Sequence, residues 1–471
     1  IKMETGVLFP LSSFPSNHGI GDLGENAYKV IDLLEKNGAD YLQILPFHPS
    51  TQANSPYRAV STYAGDEIYI NLDYLVADGL LDSVPEFYPD AIKVPYDKVR
   101  KFKRTYLLKA YENFKFTEDY YNFLKKCPWV LDYAIFCTFA TVNNSYDWAS
   151  WPDEFKKYPQ EHQVNLTKYS KEIGYYQFVQ YIFFNQWFKL KKYANDKGIK
   201  IIGDMPFYVD HGSVEVWLDN KSFLLDGIGY PTSVAGVPPD YFSPTGQYWG
   251  NPIYDWQYLE KNDFRFWIER IGWASEIFDI TRIDHFRAFD SYWDIPASAK
   301  TAMEGKWQYA PGYALFDKIY ETLGDVELVA EDLGYLRPEV IELKDHYHLK
   351  GMKVFQFMLN DGYDNLENSF FYSGTHDNET IKGWISGLNE EDIYKLKAIV
   401  DDDLPLNEAI LKFCLQSDAS DVIIPIWDLL EVDNDQRFNT PGVVNDTNWT
   451  YRVANIDDVT KAMELFKNLS K

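Results

Sequence analysis

Short apolar runs of strand length recur along this chain with helical stretches between them, and that alternation limits the possible folds more than any other feature. Gly6-Val7-Leu8-Phe9-Pro10 and Tyr41-Leu42-Gln43-Ile44-Leu45-Pro46 are the first two runs. The helix between them, over 25–37, places Ala27, Val30, Ile31 and Leu34 on one face and stops at Gly38. Further runs are 199–203, 277–283, 326–330, 352–357, 370–375 and 422–426. Strands of a parallel sheet are covered on both faces, so they read as nearly unbroken apolar segments. Eight of them in sequence match the count of a closed barrel, and the expected fold class is α/β, a (β/α)₈ TIM barrel.

Between the second and third runs the alternation stops. Asn54-Ser55-Pro56-Tyr57-Arg58 is rich in turn formers, and Ile68-Tyr69-Ile70-Asn71-Leu72 reads as a short strand outside the barrel. Residues from about 90 to 198 are aromatic, charged and helical in pattern. They close with a helix carrying Phe183, Trp187, Leu190 and Ala194 on one face and Gly198 beyond it. This stretch is read as a helical insertion between barrel strands, within a single catalytic domain spanning 1–471. No internal repeat or flexible linker is evident.

Four runs end at an acid. Asp204 closes the third, Asp284 the fourth and Glu331 the fifth, while Asp377 follows the seventh. Strand ends of a barrel converge on one cleft, so these carboxylates are expected to meet there. A carboxylate pair is the usual machinery for cleaving or transferring a glycosidic bond: one attacks the anomeric carbon and the other protonates the leaving oxygen. Asp284 is assigned as nucleophile, because Arg282 and Arg287 would favour its charged form. Glu331 is assigned as acid/base, its proton retained by nearby negative charge. Asp332 is expected to serve the start of the following helix. Asp377 would orient sugar hydroxyls, or else stabilise a turn beside Asn378. Surface ion pairs and a metal site at His376-Asp377, Asp210-His211 or Asp284-His285 are the competing readings. The eight histidines lack zincin-like spacing, so no metal or other cofactor is expected.

A formal charge of −26 argues against nucleic acid or an anionic membrane as partner, since both demand clustered Lys and Arg. The 36 Tyr and 14 Trp could stack on sugar rings, although most aromatics serve packing in any fold. Cys127, Cys137 and Cys414 form neither a disulfide framework nor a metal motif, which fits a reducing, cytoplasmic setting. No stretch approaches the ~20 apolar residues of a membrane span, and no signal peptide is legible. A trimmed leader ahead of Ile1 remains compatible with the sequence.

Further motifs are Ser55-Pro56-Tyr57, Gly203-Asp204-Met205-Pro206, the stretch from Ala235 through Pro238-Pro239-Asp240-Tyr241-Phe242, Tyr248-Trp249-Gly250-Asn251-Pro252, Arg282 to Arg287, Ala330-Glu331-Asp332-Leu333-Gly334, Gly374-Thr375-His376-Asp377-Asn378 and Asn439-Thr440-Pro441-Gly442. Together they resemble those of the 4-alpha-glucanotransferases (amylomaltases, or disproportionating enzymes) of glycoside hydrolase family 77. The resemblance implies a retaining enzyme that needs no metal, with malto-oligosaccharide or starch-like glucan as substrate. It implies Asp284 as nucleophile, Glu331 as acid/base and Asp377 as transition-state stabiliser. Tyr57, Asp204, Asp240, Trp249, Arg282 and His376 would contact sugar, and the loop around 235–248 would hold the glucan over the cleft. It further implies a short form without the extra N-terminal domains of larger members. The chain departs from the family pattern at Trp427, where a glutamine is expected. An α-amylase-type hydrolase and a non-catalytic glucan-binding protein are the alternatives.

Overall fold

The eight apolar runs become the eight strands of one parallel sheet, and a second sheet stands beside it. The computed structural model describes residues 2–51, 53–240, 243–401 and 403–471. Twelve strands lie among them: β1 (Glu4–Leu8), β2 (Tyr41–Gln43), β3 (Lys200–Met205), β4 (Ser233–Val237), β5 (Gln247–Pro252), β6 (Ile280–Ile283), β7 (Ser291–Pro296), β8 (Lys306–Tyr309), β9 (Leu328–Ala330), β10 (Gly351–Val354), β11 (Ser369–Tyr372) and β12 (Asp421–Pro425). The parallel sheet runs β10-β11-β12-β1-β2-β3-β6-β9. A parallel bridge between Val329 and Lys350 joins its two ends, with Ala330 N–H donating to Lys350 O at 2.9 Å, so the barrel closes. Chain ends meet within it, because Glu4 pairs with Asp421 and Leu8 with Pro425.

The barrel strands are short and almost wholly buried, which explains why they read as apolar runs. Close packing sets some residues absolutely. At Gly203 of β3 a Cβ would lie 2.1 Å from the Phe278 ring, so only glycine lets that ring cover the strand.

The connection from β2 to β3 holds the helices Tyr96–Glu112, Glu118–Lys126, Trp129–Val142 and Ser170–Asp196. The last packs against both the helix Glu25–Lys36 and β3, driving Phe183 and Trp187 against Phe47, while Trp187 Nε1 donates to Ile277 O at 3.0 Å. It also explains why residues 68–72 form no strand. Gln180 accepts from Gly65 N–H and donates to Gly65 O, both at 2.9 Å, and Gln186 brackets Asn71 the same way at 2.8 and 3.0 Å. Two side-chain amides thus satisfy backbone groups that a strand partner would otherwise pair. Between them Glu67–Tyr69 is a 3₁₀ turn capped by Asp66, and a short helix, Asp73–Ala77, follows.

The second sheet runs β5-β4-β7-β8 and is antiparallel throughout. Its strands come from two different barrel connections, β4 and β5 from the one after β3, β7 and β8 from the one after β6. A small cluster of Val234, Ile295 and Ala302 fills its inner face. The expectation of a loop around 235–248 is corrected in part: 233–237 and 247–252 are paired strands. Tyr241 and Phe242, which belong to one of the resemblance motifs, lie outside the described residues.

Candidate active site

Arg282, pointing into the barrel mouth from β6, organises the acids around it. Its Nη1 donates to Asp204 Oδ1 and Oδ2 at 2.9 and 3.0 Å, and its Nη2 lies 3.2 Å from Asp284 Oδ1. The guanidinium and Asp204 are buried, whereas the Asp284 side chain is one-third exposed to the cleft. A buried charge pair survives only when its remaining hydrogen-bonding capacity is filled. Here Tyr57 OH donates to Asp204 Oδ2 at 2.5 Å, and Arg282 Nε points to Met352 Sδ at 3.3 Å. Asp284 and Glu331 follow the ends of adjacent strands that cross-link there: Asp284 N–H donates to Met205 O at 2.9 Å, Glu331 N–H to Ile283 O at 3.1 Å and Phe286 N–H to Glu331 O at 3.2 Å. His285 between them adopts a left-handed backbone, φ 56°, which turns the chain sharply off the strand.

The two carboxylates differ in acidity. Burial raises Asp284 to about 6, opposed by Arg282 and helped by Asp204 and Asp377. Burial raises Glu331 further, to about 8, and the negative charge of Asp284 is the next cause. Leu333 N–H, 3.1 Å from Glu331 Oε2, and Arg282 pull the other way. The pair therefore favours one ionised and one protonated carboxyl at neutral pH. Arg287 does not take the place expected for it beside Asp284. Its Nη1 donates to Tyr335 O at 3.1 Å and its guanidinium sits over the Trp307 ring. The left-handed turn at His285 carries it out of the barrel mouth.

On the other side stands Asp377, five residues beyond β11. His376 Nε2 lies 3.3 Å from Asp377 Oδ2, and Asn439 Nδ2 donates to Asp377 Oδ1 at 2.7 Å. The His376 ring is buried, held neutral by that burial, and stacks on Tyr57 at 5.2 Å; Trp449 tilts against both. Asn378 Oδ1 accepts from Thr375 N–H and Oγ1 at 2.7 and 2.8 Å, so the turn-stabilising role falls to Asn378 and leaves Asp377 facing the cleft. The whole segment is stapled from behind. Buried Asp428 accepts from Ser373 Oγ at 2.8 Å and from Ile381 N–H at 2.9 Å, tying its two ends, and burial raises Asp428 to about 7.

Trp249 on β5 packs edge-on against His285 at 4.8 Å, and Arg58 donates to its carbonyl at 2.9 Å while pairing with Asp210. With Tyr57, Tyr208 and Asp284 it lines a pocket of about 170 Å³. Asp240 belongs to the exposed tip between β4 and β5, where its Oδ1 accepts from Ser243 N–H at 2.7 Å. The structure thus gathers Tyr57, Asp204, Arg282, Asp284, His376 and Asp377 through direct contacts, sets Glu331 and Trp249 beside them, and puts Asp240 at the tip between β4 and β5. Asp332 is not the cap of the next helix, whose first turn starts at Pro338 after Arg337. It accepts from Lys344 and from Met352 N–H, both at 2.8 Å, bracing the Glu331 segment. Trp427 is buried, stacked on Phe438 at 5.4 Å, so it packs the core instead of lining the cleft. Asn439, Trp449 and Asp428 are contacts that strand-end reasoning did not assign. Only the Asn439-Thr440-Pro441-Gly442 motif hinted at the first.

A closed parallel barrel with an ionised and a protonated carboxyl at adjacent strand ends, a third acid opposite and aromatic walls defines the class of enzymes that act on glycosidic bonds. Residues 9–458 match the model of the 4-alpha-glucanotransferase family. A 4-alpha-glucanotransferase of Streptococcus pneumoniae is 38% identical over 98% of this chain and 95% of its own length, and one of Thermus thermophilus is 38% identical over 95% and 94%. The amylomaltase of Streptococcus agalactiae, solved in complex with acarbose, superimposes with a TM-score of 0.94 at 36% identity, covering 100% of this chain and 99% of that one. The chain belongs to the 4-alpha-glucanotransferase family.

Proposed function

We propose that this chain moves α-1,4-glucan segments between malto-oligosaccharides, or starch-like glucans, by two successive displacements at one anomeric carbon. The observation carrying this reading is the split acidity of the Asp284–Glu331 pair, about 6 against about 8. In the first step the Asp284 carboxylate bonds to the anomeric carbon as the glycosidic C–O bond breaks, and Glu331 gives its proton to the departing oxygen. In the second, the ionised Glu331 takes the proton of an incoming sugar hydroxyl, whose oxygen displaces Asp284. Both carboxyls return to their starting states, and two inversions leave the configuration retained.

Asp377 and His376 contact hydroxyls of the reacting ring in this reading, and Asn439 fixes the carboxylate that does so. Arg282 has two tasks: it neutralises buried Asp204 and limits how far burial raises Asp284. Tyr57 and Trp249 supply sugar-facing aromatic surface, and Asp240 reaches the glucan from the tip between β4 and β5. The 471 residues act as one catalytic unit, with the helical insertion as part of its wall. All three cysteines are free and buried, which supports a reducing, cytoplasmic setting.

Incubation with maltotriose alone tests the function. Glucose together with maltopentaose and longer chains is the expected outcome. Glucose and maltose with nothing longer would mean that water resolves the intermediate, and an unchanged substrate would leave only binding.

A further inference from the structure

Tyr335 is the most exposed large hydrophobic side chain among the described residues, at 97%. A single exposed tyrosine needs no explanation. This one stands only four residues beyond Glu331 and has company: Trp307 and Tyr309 of β8 are 38% and 65% exposed. Two arginines order the two rings of β8, and one of them also fixes the backbone of Tyr335. Arg287 sits 4.6 Å over the Trp307 ring and holds Tyr335 O at 3.1 Å with Nη1. Arg337 sits 4.8 Å over the Tyr309 ring while its Nε and Nη2 grip Asp290 at 2.7 and 2.9 Å. Each guanidinium occupies one face of its ring, and the Asp290 fork fixes the second arginine. The result is a pair of preorganised rings, which lose little freedom when a ligand covers them, beside a Tyr335 ring anchored through its backbone.

Chemistry says what should cover it. A general acid protonates the departing oxygen, so it stands on the leaving-group side of the bond being broken. The glucan that departs, and the acceptor that replaces it, must therefore run past the Glu331 segment and the residues that follow. We propose that Tyr335, Tyr309 and Trp307 form an acceptor platform, on which the sugar units of an incoming α-glucan stack beyond the reacting one. This rests on the reading of Glu331 as acid/base. It also gives Arg287 a purpose: it links the acid/base segment to the second sheet, so the platform keeps its position relative to the proton donor.

The test compares Tyr335→Ala and Trp307→Ala with the wild type, using malto-oligosaccharide acceptors of increasing length. The apparent KM for the acceptor and the ratio of hydrolysis to transfer are the readouts. In both variants KM for the longer acceptors should rise about five- to tenfold, with a much smaller rise for glucose, and the hydrolytic share should grow. Tyr335→Phe, which keeps the ring, should restore the wild-type length dependence. Tyr394→Ala, on the remote helix Glu390–Lys397, serves as the exposed-tyrosine control. Unchanged length dependence in both alanine variants would overturn the platform, as would an equal loss with every acceptor including glucose, which would mean a displaced Glu331 segment. Wild-type protein that makes nothing longer than maltotriose would instead overturn the functional reading beneath it.

Discussion

Glu331→Gln should lower activity and raise stability in the same molecule. Glutamine keeps the shape of the side chain but neither donates nor accepts a catalytic proton, and general acid–base catalysis is worth about 10²–10⁴-fold. Maltotriose turnover should fall by that factor. A maltosyl donor whose aryl leaving group needs no protonation should recover much of the first step. In the wild type, kcat/KM should rise with pH through about 6 as Asp284 ionises and fall through about 8 as Glu331 loses its proton. The variant should lack the alkaline limb. Stability runs the other way. The folded state raises Glu331 from 4.5 to about 8, so it binds this proton more tightly than the unfolded chain does. That stabilisation is complete below 4.5 and is lost as pH rises to about 8, where the charge must be carried in the cleft. A neutral isostere escapes this cost. The gain of the variant should grow across that window to the order of a few kcal/mol, moderated by coupling to Asp284. Chemical denaturation at pH 5, 7 and 9 measures it. A variant within tenfold of wild-type turnover, or one less stable than wild type at pH 9, would refute the assignment of Glu331 as a proton-holding acid.

Other expected outcomes concern the groups around the pair. Arg282→Ala leaves Asp204 as an unpaired buried charge and should cost about 3–5 kcal/mol in denaturant unfolding. Because Arg282 is what lowers Asp284, the residual activity should show its acid limb at higher pH. Asn439→Ala frees the Asp377 carboxylate and should reduce kcat about tenfold with little change in KM, as steady-state kinetics on maltotriose would show. Asp428→Ala strands Ser373 Oγ and Ile381 N–H inside the protein; a loss of about 2 kcal/mol in unfolding free energy is expected, with turnover falling as the His376-Asp377 segment loosens.

The barrel was legible because its physics is local. Each strand is buried on both faces, so each appears as an apolar run, and each acid sits where its run stops. The second sheet was not legible for the opposite reason. β8 is largely exposed and β5 exposed at its first two residues, neither carries apolar alternation, and the sheet exists because β4 finds β7 across a long stretch of intervening sequence. Residues 68–72 have a strand's composition, yet two glutamines more than a hundred positions away claim backbone groups just before them, at Gly65, and within them, at Asn71. Site chemistry divided similarly. Asp284, Glu331 and Asp377 could be found from strand ends. Arg287 could not be placed, since the one left-handed residue at His285 decides which way it points. Asn439 and Trp449 come to the site from segments with no periodic signal at all, and Asp428 braces the His376-Asp377 segment from behind.

The pairing of β1 with β12 has a consequence for how the molecule comes into being. Thr5 leaves the ribosome 417 residues ahead of its partner Val422. At roughly 5–20 residues per second, β1 waits tens of seconds with one edge unpaired. The helix Ile456–Leu469, which packs on the helix Glu25–Lys36, arrives later still. Folding of the nascent chain can therefore proceed strand by strand from β1 towards β11, but the cylinder cannot close until β12 arrives between β11 and β1.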